Sequence, residues 1–272
     1  MTLADLQIIP DLTPQRIVCL TEETVETLYL LGQQHRIVGV TGYAIRPPQV
    51  RREKPRVGAF TSADIPKILA LEPDLVLTFS DLQADIVAQL IRAGVAVHAF
   101  NQRDVSGILS MIRTLGALTG ASEKAEALIS LHASRIGALR THAPNIRPRI
   151  YFEEWDEPMI SGIRWASELI AVAGGVDVFE TLSHEPSAKD RIVSSEQVIT
   201  AAPDIIIGSW CGKKLRAEKI AARPGWDDIP AVRNGHIYEI KSPLILQPGP
   251  AALGDGLDAI CAIISDVKRR AG

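Results

Sequence analysis

Apolar positions along this chain fall into short continuous runs separated by stripes at helical spacing, and the two kinds alternate throughout. The run 16–20 predicts a strand, after which Thr21 can cap a helix with Val25, Leu28 and Leu31 on one face. Gly32 suits the end of that helix, and 36–40 predicts the next strand. A loop rich in Pro and Arg over 43–55 leads to a short helix at 65–71, then a strand at 75–79. A helix at 86–93 closed by Gly94, a strand at 95–100 and a striped helix at 105–118 complete the first half. The second half repeats the alternation, with strands expected at 149–153, 176–179, 205–207 and 236–240. Helices are expected there at 165–173, after Ser194, at 213–222 and from Pro250 to the end.

One phrase occurs twice. Residues 68–79 and 198–209 each carry an apolar helix end, a Pro-Asp break and a run suited to a buried strand. Arg16-Ile17-Val18 and Arg149-Ile150-Tyr151 open the strand preceding each copy. Between the halves, Ser122 can cap a helix that reaches about His142 before Pro144 and Pro148. Twenty helical residues span about 30 Å, so this segment reads as a stiff connector. The pattern predicts an N-terminal α/β lobe over 1–121, the connecting helix over 122–143 and a C-terminal α/β lobe over 144–272. Apolar strands separated by helices predict mainly parallel sheets, with ligand loops beyond the strands' carboxyl ends.

Composition narrows the function more than the fold. A chain of 272 residues with 46% hydrophobic content can fill two modest cores. Its net charge of -3 argues against a nucleic-acid surface. Residues 1–11 show neither a basic start nor a long apolar run. The sequence as written therefore predicts a cytoplasmic protein, and a periplasmic one if an export signal has been trimmed. Cys19, Cys211 and Cys261 show no metal or disulfide spacing.

The six histidines have no paired metal spacing, and no serine sits in a nucleophile elbow. No catalytic or metal-binding residue is expected. His98 reads as an interior residue of its strand, and His132 and His142 as solvated positions on the connector. All four tryptophans, Trp155, Trp165, Trp210 and Trp226, lie in the second half, two of them directly after strands. Indoles at loop mouths suit a flat or bulky organic ligand; the alternative is that each packs within its own domain. Arg164 could meet an anionic group or form a surface ion pair. Glu153 and Glu154 could accept from ligand amides, whereas Lys213-Lys214 reads as a solvated helix start.

These residues carry a resemblance. Arg16-Ile17-Val18, the segment Leu31-Gly32 to Tyr43, Val57-Gly58 with Phe60, and the run 68–76 resemble substrate-binding proteins of iron-siderophore and vitamin B12 ABC transporters. Residues 173–179, 194–207 and the Pro224-Gly225-Trp226 loop through Tyr238 continue the match. The resemblance implies two Rossmann-like α/β lobes joined by one long rigid helix, the class III periplasmic-binding-protein fold with a helical backbone. It implies a metal chelate held in a cleft between lobes and delivered to an ABC transporter permease subunit, by a monomer.

The chain looks most like the cobalamin-binding branch. There Tyr43, Phe60, Trp155 and Trp226 match positions that line the pocket, and Trp165 and Trp210 are added candidates. The expected ligand is cobalamin or a related corrinoid, as cargo rather than catalytic cofactor. A ferric siderophore or heme is the alternative, as is a cytoplasmic corrinoid-handling protein on the same scaffold. The family docks its permease through one exposed glutamate per lobe. Here the first aligned position is Pro66, with Asp64 the nearest acid, and Glu218 or Asp228 serves in the second.

Overall fold

The computed structural model describes residues 12–141 and 147–271. The sequence readings at residues 1–11, His142 and Pro144 lie outside the described residues. The chain divides into two compact units, residues 1–101 with 111–127 and residues 102–110 with 128–272.

Unit 1 alternates β1 (Ile17–Cys19), α1 (Glu22–Leu30), β2 (Ile37–Val40), α2 (Val50–Glu53), α3 (Ile65–Leu69), β3 (Leu75–Phe79), α4 (Ala84–Arg92) and β4 (Val97–Phe100). The strands form one parallel sheet in the order β2-β1-β3-β4. Val18, Leu20, Val57, Ile68, Val76, Ile86 and Leu90 form a core cluster in this unit. β4 begins at Val97, two residues later than the pattern predicts, because Val95 donates back to the Leu90 carbonyl and closes the helix end. His98 is only partly buried, its ring 4.3 Å from that of Phe100. It is therefore not the interior residue expected.

The helices α5 (Val105–Leu118) and α6 (Ser122–Thr141) follow. α6 spans twenty residues. Its start groups with unit 1, where Ala125 is buried, and its remainder groups with unit 2. Ile129, His132 and Ile136 are buried along that remainder, and Arg135 pairs with Asp258. His132 is thus packed rather than solvated, and burial lowers its pKa.

Unit 2 contains β5 (Arg149–Asp156), β6 (Met159–Ser161), α7 (Arg164–Val172), β7 (Val176–Asp177), α8 (Glu180–Ser183), α9 (Ser195–Ala201) and β8 (Ile205–Gly208). It continues with α10 (Ala217–Ala221), α11 (Pro230–Arg233), β9 (Ile237–Glu239), α12 (Ser242–Ile245) and α13 (Leu257–Ala271). A π-helical segment, Ala252–Gly256, leads into α13. β5 pairs in parallel with β7 through its first residues and with β8 along its length, and β9 flanks β8. The end of β5 pairs antiparallel with β6, a hairpin the sequence reading lacks. Apart from that hairpin, unit 2 repeats the strand order of unit 1, with β5, β7, β8 and β9 in the places of β1, β2, β3 and β4.

The duplicated phrase has a physical basis. Asp74 accepts from the Arg16 amide at 2.9 Å, and the Arg16 side chain donates to the Leu71 and Glu72 carbonyls. In unit 2, Asp204 accepts from the Arg149 amide at 2.8 Å, and the Arg149 side chain donates to the Ala201 carbonyl. Each Pro-Asp thus fixes where its strand begins, while the arginine satisfies carbonyls a helix leaves open at its end. Among the described residues, no helix is long and apolar enough to cross a membrane.

Candidate functional site

In an open parallel sheet the ligand crevice lies past the carboxyl ends of the strands, where the strand order reverses. That point falls between β1 and β3 in unit 1, and between β5 and β8 in unit 2.

In unit 1 the crevice is bridged by Gln83, whose side chain is buried. Its amide nitrogen donates to the Leu20 carbonyl at 3.1 Å and the Phe60 carbonyl at 2.7 Å, and its oxygen accepts from the Phe79 amide. One side chain thereby ties the ends of β1 and β3 to the Phe60 loop. That loop is also laced to the one after β2. Gly42 donates to the Gly58 carbonyl at 2.7 Å, and Val57 to the Val40 carbonyl at 3.0 Å. Gly58 has φ +152°, and a Cβ there would collide with the Ser62 carbonyl. The two loops present Tyr43, 52% exposed, and the partly buried Phe60. In the first turn of α1, just past β1, Glu23 is buried with Oε1 lacking a hydrogen-bond partner, and burial, reinforced by Glu22, pushes its pKa up to about 8.

In unit 2 the end of β5 carries acidic residues, and three of them are matched by cations. Glu153 is fully buried and takes both guanidinium nitrogens of Arg223, at 2.5 Å and 2.9 Å. The Tyr151 hydroxyl donates to the same carboxylate, and Arg223 stacks 4.6 Å from the Trp226 ring centroid. Glu154 pairs with the buried Arg191 at 2.6 Å, so it is committed within the unit rather than available to ligand amides. Asp156 pairs with Lys213.

The tryptophans separate into two kinds. Trp165 is buried, its Nε1 donating to the Ile245 carbonyl at 2.7 Å. Trp226 is fully buried, its Nε1 donating to Ser195 Oγ at 2.7 Å. These two indoles belong to the core of unit 2, which corrects the expectation that they present a face to a ligand. Trp155, at the end of β5, is partly exposed, with Nε1 on the Glu157 carbonyl. Trp210, just past β8, is buried in the same core cluster as Trp226, so it too is a core residue rather than an open face, and its Nε1 has no hydrogen-bond partner. The Lys213 ammonium stands 5.5 Å from the Trp155 ring centroid and 5.2 Å from that of Trp210.

Lys213 is therefore no helix start. α10 begins only at Ala217, because Leu215 is buried and its amide donates to the Glu239 carboxylate. Arg164 is held by Glu168 at 3.0 Å and Asp104 at 3.5 Å, the ion-pair alternative for that residue. Among the docking candidates, Asp64, Glu218 and Asp228 are all exposed. Asp64 also caps α3, accepting from the Lys67 amide at 3.0 Å. Among the described residues no cluster of His, Cys, Asp and Glu could hold a metal ion.

Comparison with known proteins agrees with this architecture. The profile of the periplasmic binding protein family matches residues 17–244. An uncharacterized ABC transporter substrate-binding lipoprotein of Bacillus subtilis (strain 168) is 25% identical over 264 residues, covering 92% of this chain and 80% of that protein. The periplasmic vitamin B12 binding protein BtuF of Vibrio cholerae superposes with a TM-score of 0.75 at 25% identity, covering 94% of this chain and 98% of that one. The periplasmic heme-binding protein RhuT of Roseiflexus sp. RS-1, in apo form, gives 0.78 at 25% identity, covering 92% and 99%.

Proposed function

The chain belongs to the periplasmic binding protein family, a family of solute-binding proteins rather than enzymes, and from that premise we propose that it carries cobalamin or a related corrinoid to an ABC importer. The observation that carries this reading is the set of aromatic side chains at the carboxyl-end loops: Tyr43 and Phe60 in unit 1, and in unit 2 the partly exposed Trp155, packed against the core cluster that holds Trp210. Rings of this kind supply broad apolar contact to a flat macrocycle through dispersion and desolvation. Relatives named for vitamin B12 support the same ligand class. The protein acts as a monomer outside the cytoplasmic membrane and meets its permease through Asp64 and through Glu218 or Asp228.

Titration with cyanocobalamin, cobinamide and hemin tests the assignment, followed by ligand absorbance and tryptophan quenching. Saturable binding of a corrinoid supports it. Binding of hemin alone replaces the corrinoid by a carboxylate-bearing porphyrin. A heme reading draws on the named structural relatives and on the cation beside Trp155 and Trp210. Binding of no chelate overturns both.

A further inference from the structure

We propose that Lys213 is a specificity-determining residue of this site, which receives an oxyanion carried on the periphery of the ligand. The inference rests on the chelate-binding reading above and names the group that chelate must carry.

Lys213 lies between the two residues that flank the unit 2 crevice. Its ammonium faces the rings of Trp155 and Trp210 and is paired with the Asp156 carboxylate. A cation near aromatic faces is attracted by their negative quadrupoles, which holds the ammonium beside both indoles. Its side chain remains 47% exposed, so one side of the ammonium is open to an incoming group. Asp156 uses Oδ2 for its pair with Lys213, and its other carboxylate oxygen, Oδ1, has no hydrogen-bond partner. The ammonium, with three rotatable donors beside two indoles at the carboxyl end of the sheet, suits an oxyanion. Asp156 is the internal stand-in for that oxyanion, holding the lysine until a ligand group competes for it.

The chemistry required is a phosphodiester or a carboxylate. Cobalamin bears the first in its nucleotide loop, cobinamide lacks it, and heme bears the second as propionates. Lys213→Met, Lys213→Arg and Asp156→Asn should be titrated beside the unaltered protein with cyanocobalamin, cobinamide and hemin. A charge-assisted hydrogen bond contributes about 1.5–3 kcal/mol, so Lys213→Met should weaken binding of the oxyanion-bearing ligand about tenfold or more. Cobinamide binding should be unchanged or tighter, since the methionine uncovers indole surface. Lys213→Arg should restore most of the loss, and Asp156→Asn should strengthen the oxyanion-bearing ligand. Loss with cyanocobalamin identifies the phosphodiester as the source, and loss with hemin the carboxylate. An equal effect on cobinamide, or no effect on any ligand that the unaltered protein binds, overturns the role of Lys213 and leaves the chelate reading standing. Binding of no chelate by the unaltered protein removes the reading and this inference together. A tryptophan emission shift in Lys213→Met without ligand checks that the ammonium contacts the indoles.

Discussion

Replacing Arg223 by methionine probes how unit 2 holds the end of β5. The guanidinium makes two hydrogen bonds to a carboxylate with no solvent exposure, and its own side chain is 18% exposed. Breaking a buried pair from one side costs about 3–5 kcal/mol, because the remaining charge is left desolvated. Tyr151 still donates to Glu153 in the variant, which favours the lower end. Loss of stacking on Trp226 adds about 0.5–1 kcal/mol. Methionine keeps the apolar stem, so the expected loss is about 3–4 kcal/mol. At about 2–4 °C per kcal/mol for a unit of this size, the melting temperature should fall by about 10 °C. Circular dichroism and urea titration read this directly. Adding Glu153→Gln should recover at least half, since it removes the unpaired charge instead of restoring the pair. A single-variant loss below about 1 kcal/mol, or a double variant no better than the single, would refute the reasoning.

Other perturbations follow from the same geometry. Glu23 has its folded-state pKa raised to about 8, so the native state binds more protons than the unfolded chain between about pH 4.5 and 8. Stability should therefore decline as pH rises through that window. Glu23→Gln should flatten the decline and stabilise the protein at pH 9 by at most about 5 kcal/mol, measured by urea titration across pH. Gly58→Ala should cost about 1–3 kcal/mol and weaken chelate binding, because the added Cβ meets the Ser62 carbonyl and the turn that carries Phe60 must open; thermal melts and titration would read both effects. Trp226→Phe should lower stability by about 1–2 kcal/mol through loss of the Ser195 bond while leaving chelate affinity unchanged. Trp155→Ala should do the reverse, and paired melting and binding curves separate the two.

The strands expected at 75–79 and 205–207 were legible because unbroken apolar runs behind a Pro-Asp leave few alternatives to a buried parallel strand. The hairpin partner β6 was not, since Met159–Ser161 is three residues long and shows no alternation. The long helix was readable from its stripe, but not that His132 would be drawn under a neighbouring segment. For the site, one-dimensional spacing places an indole near a loop without saying which way it turns. Trp165 and Trp226 found acceptors at Ile245 and Ser195 and turned inward. Lys213 was missed for the matching reason: its partners, Trp155 and Asp156, lie far away in sequence and meet it only because β5 and β8 are adjacent. A buried leucine two residues on, Leu215, was the local sign that the segment would not begin as a solvated helix.

The arginine-to-aspartate clasps at Asp74 and Asp204 sit at the amino edge of each sheet, opposite the carboxyl-end loops. Alignment of the central strands is thereby secured at one rim, and the opposite rim is free to change its chemistry. One half has spent that freedom on tyrosine and phenylalanine, the other on a lysine wedged against indoles. A scaffold divided in this way can be re-aimed at a different chelate by exchanging rim residues while the foundations stay untouched.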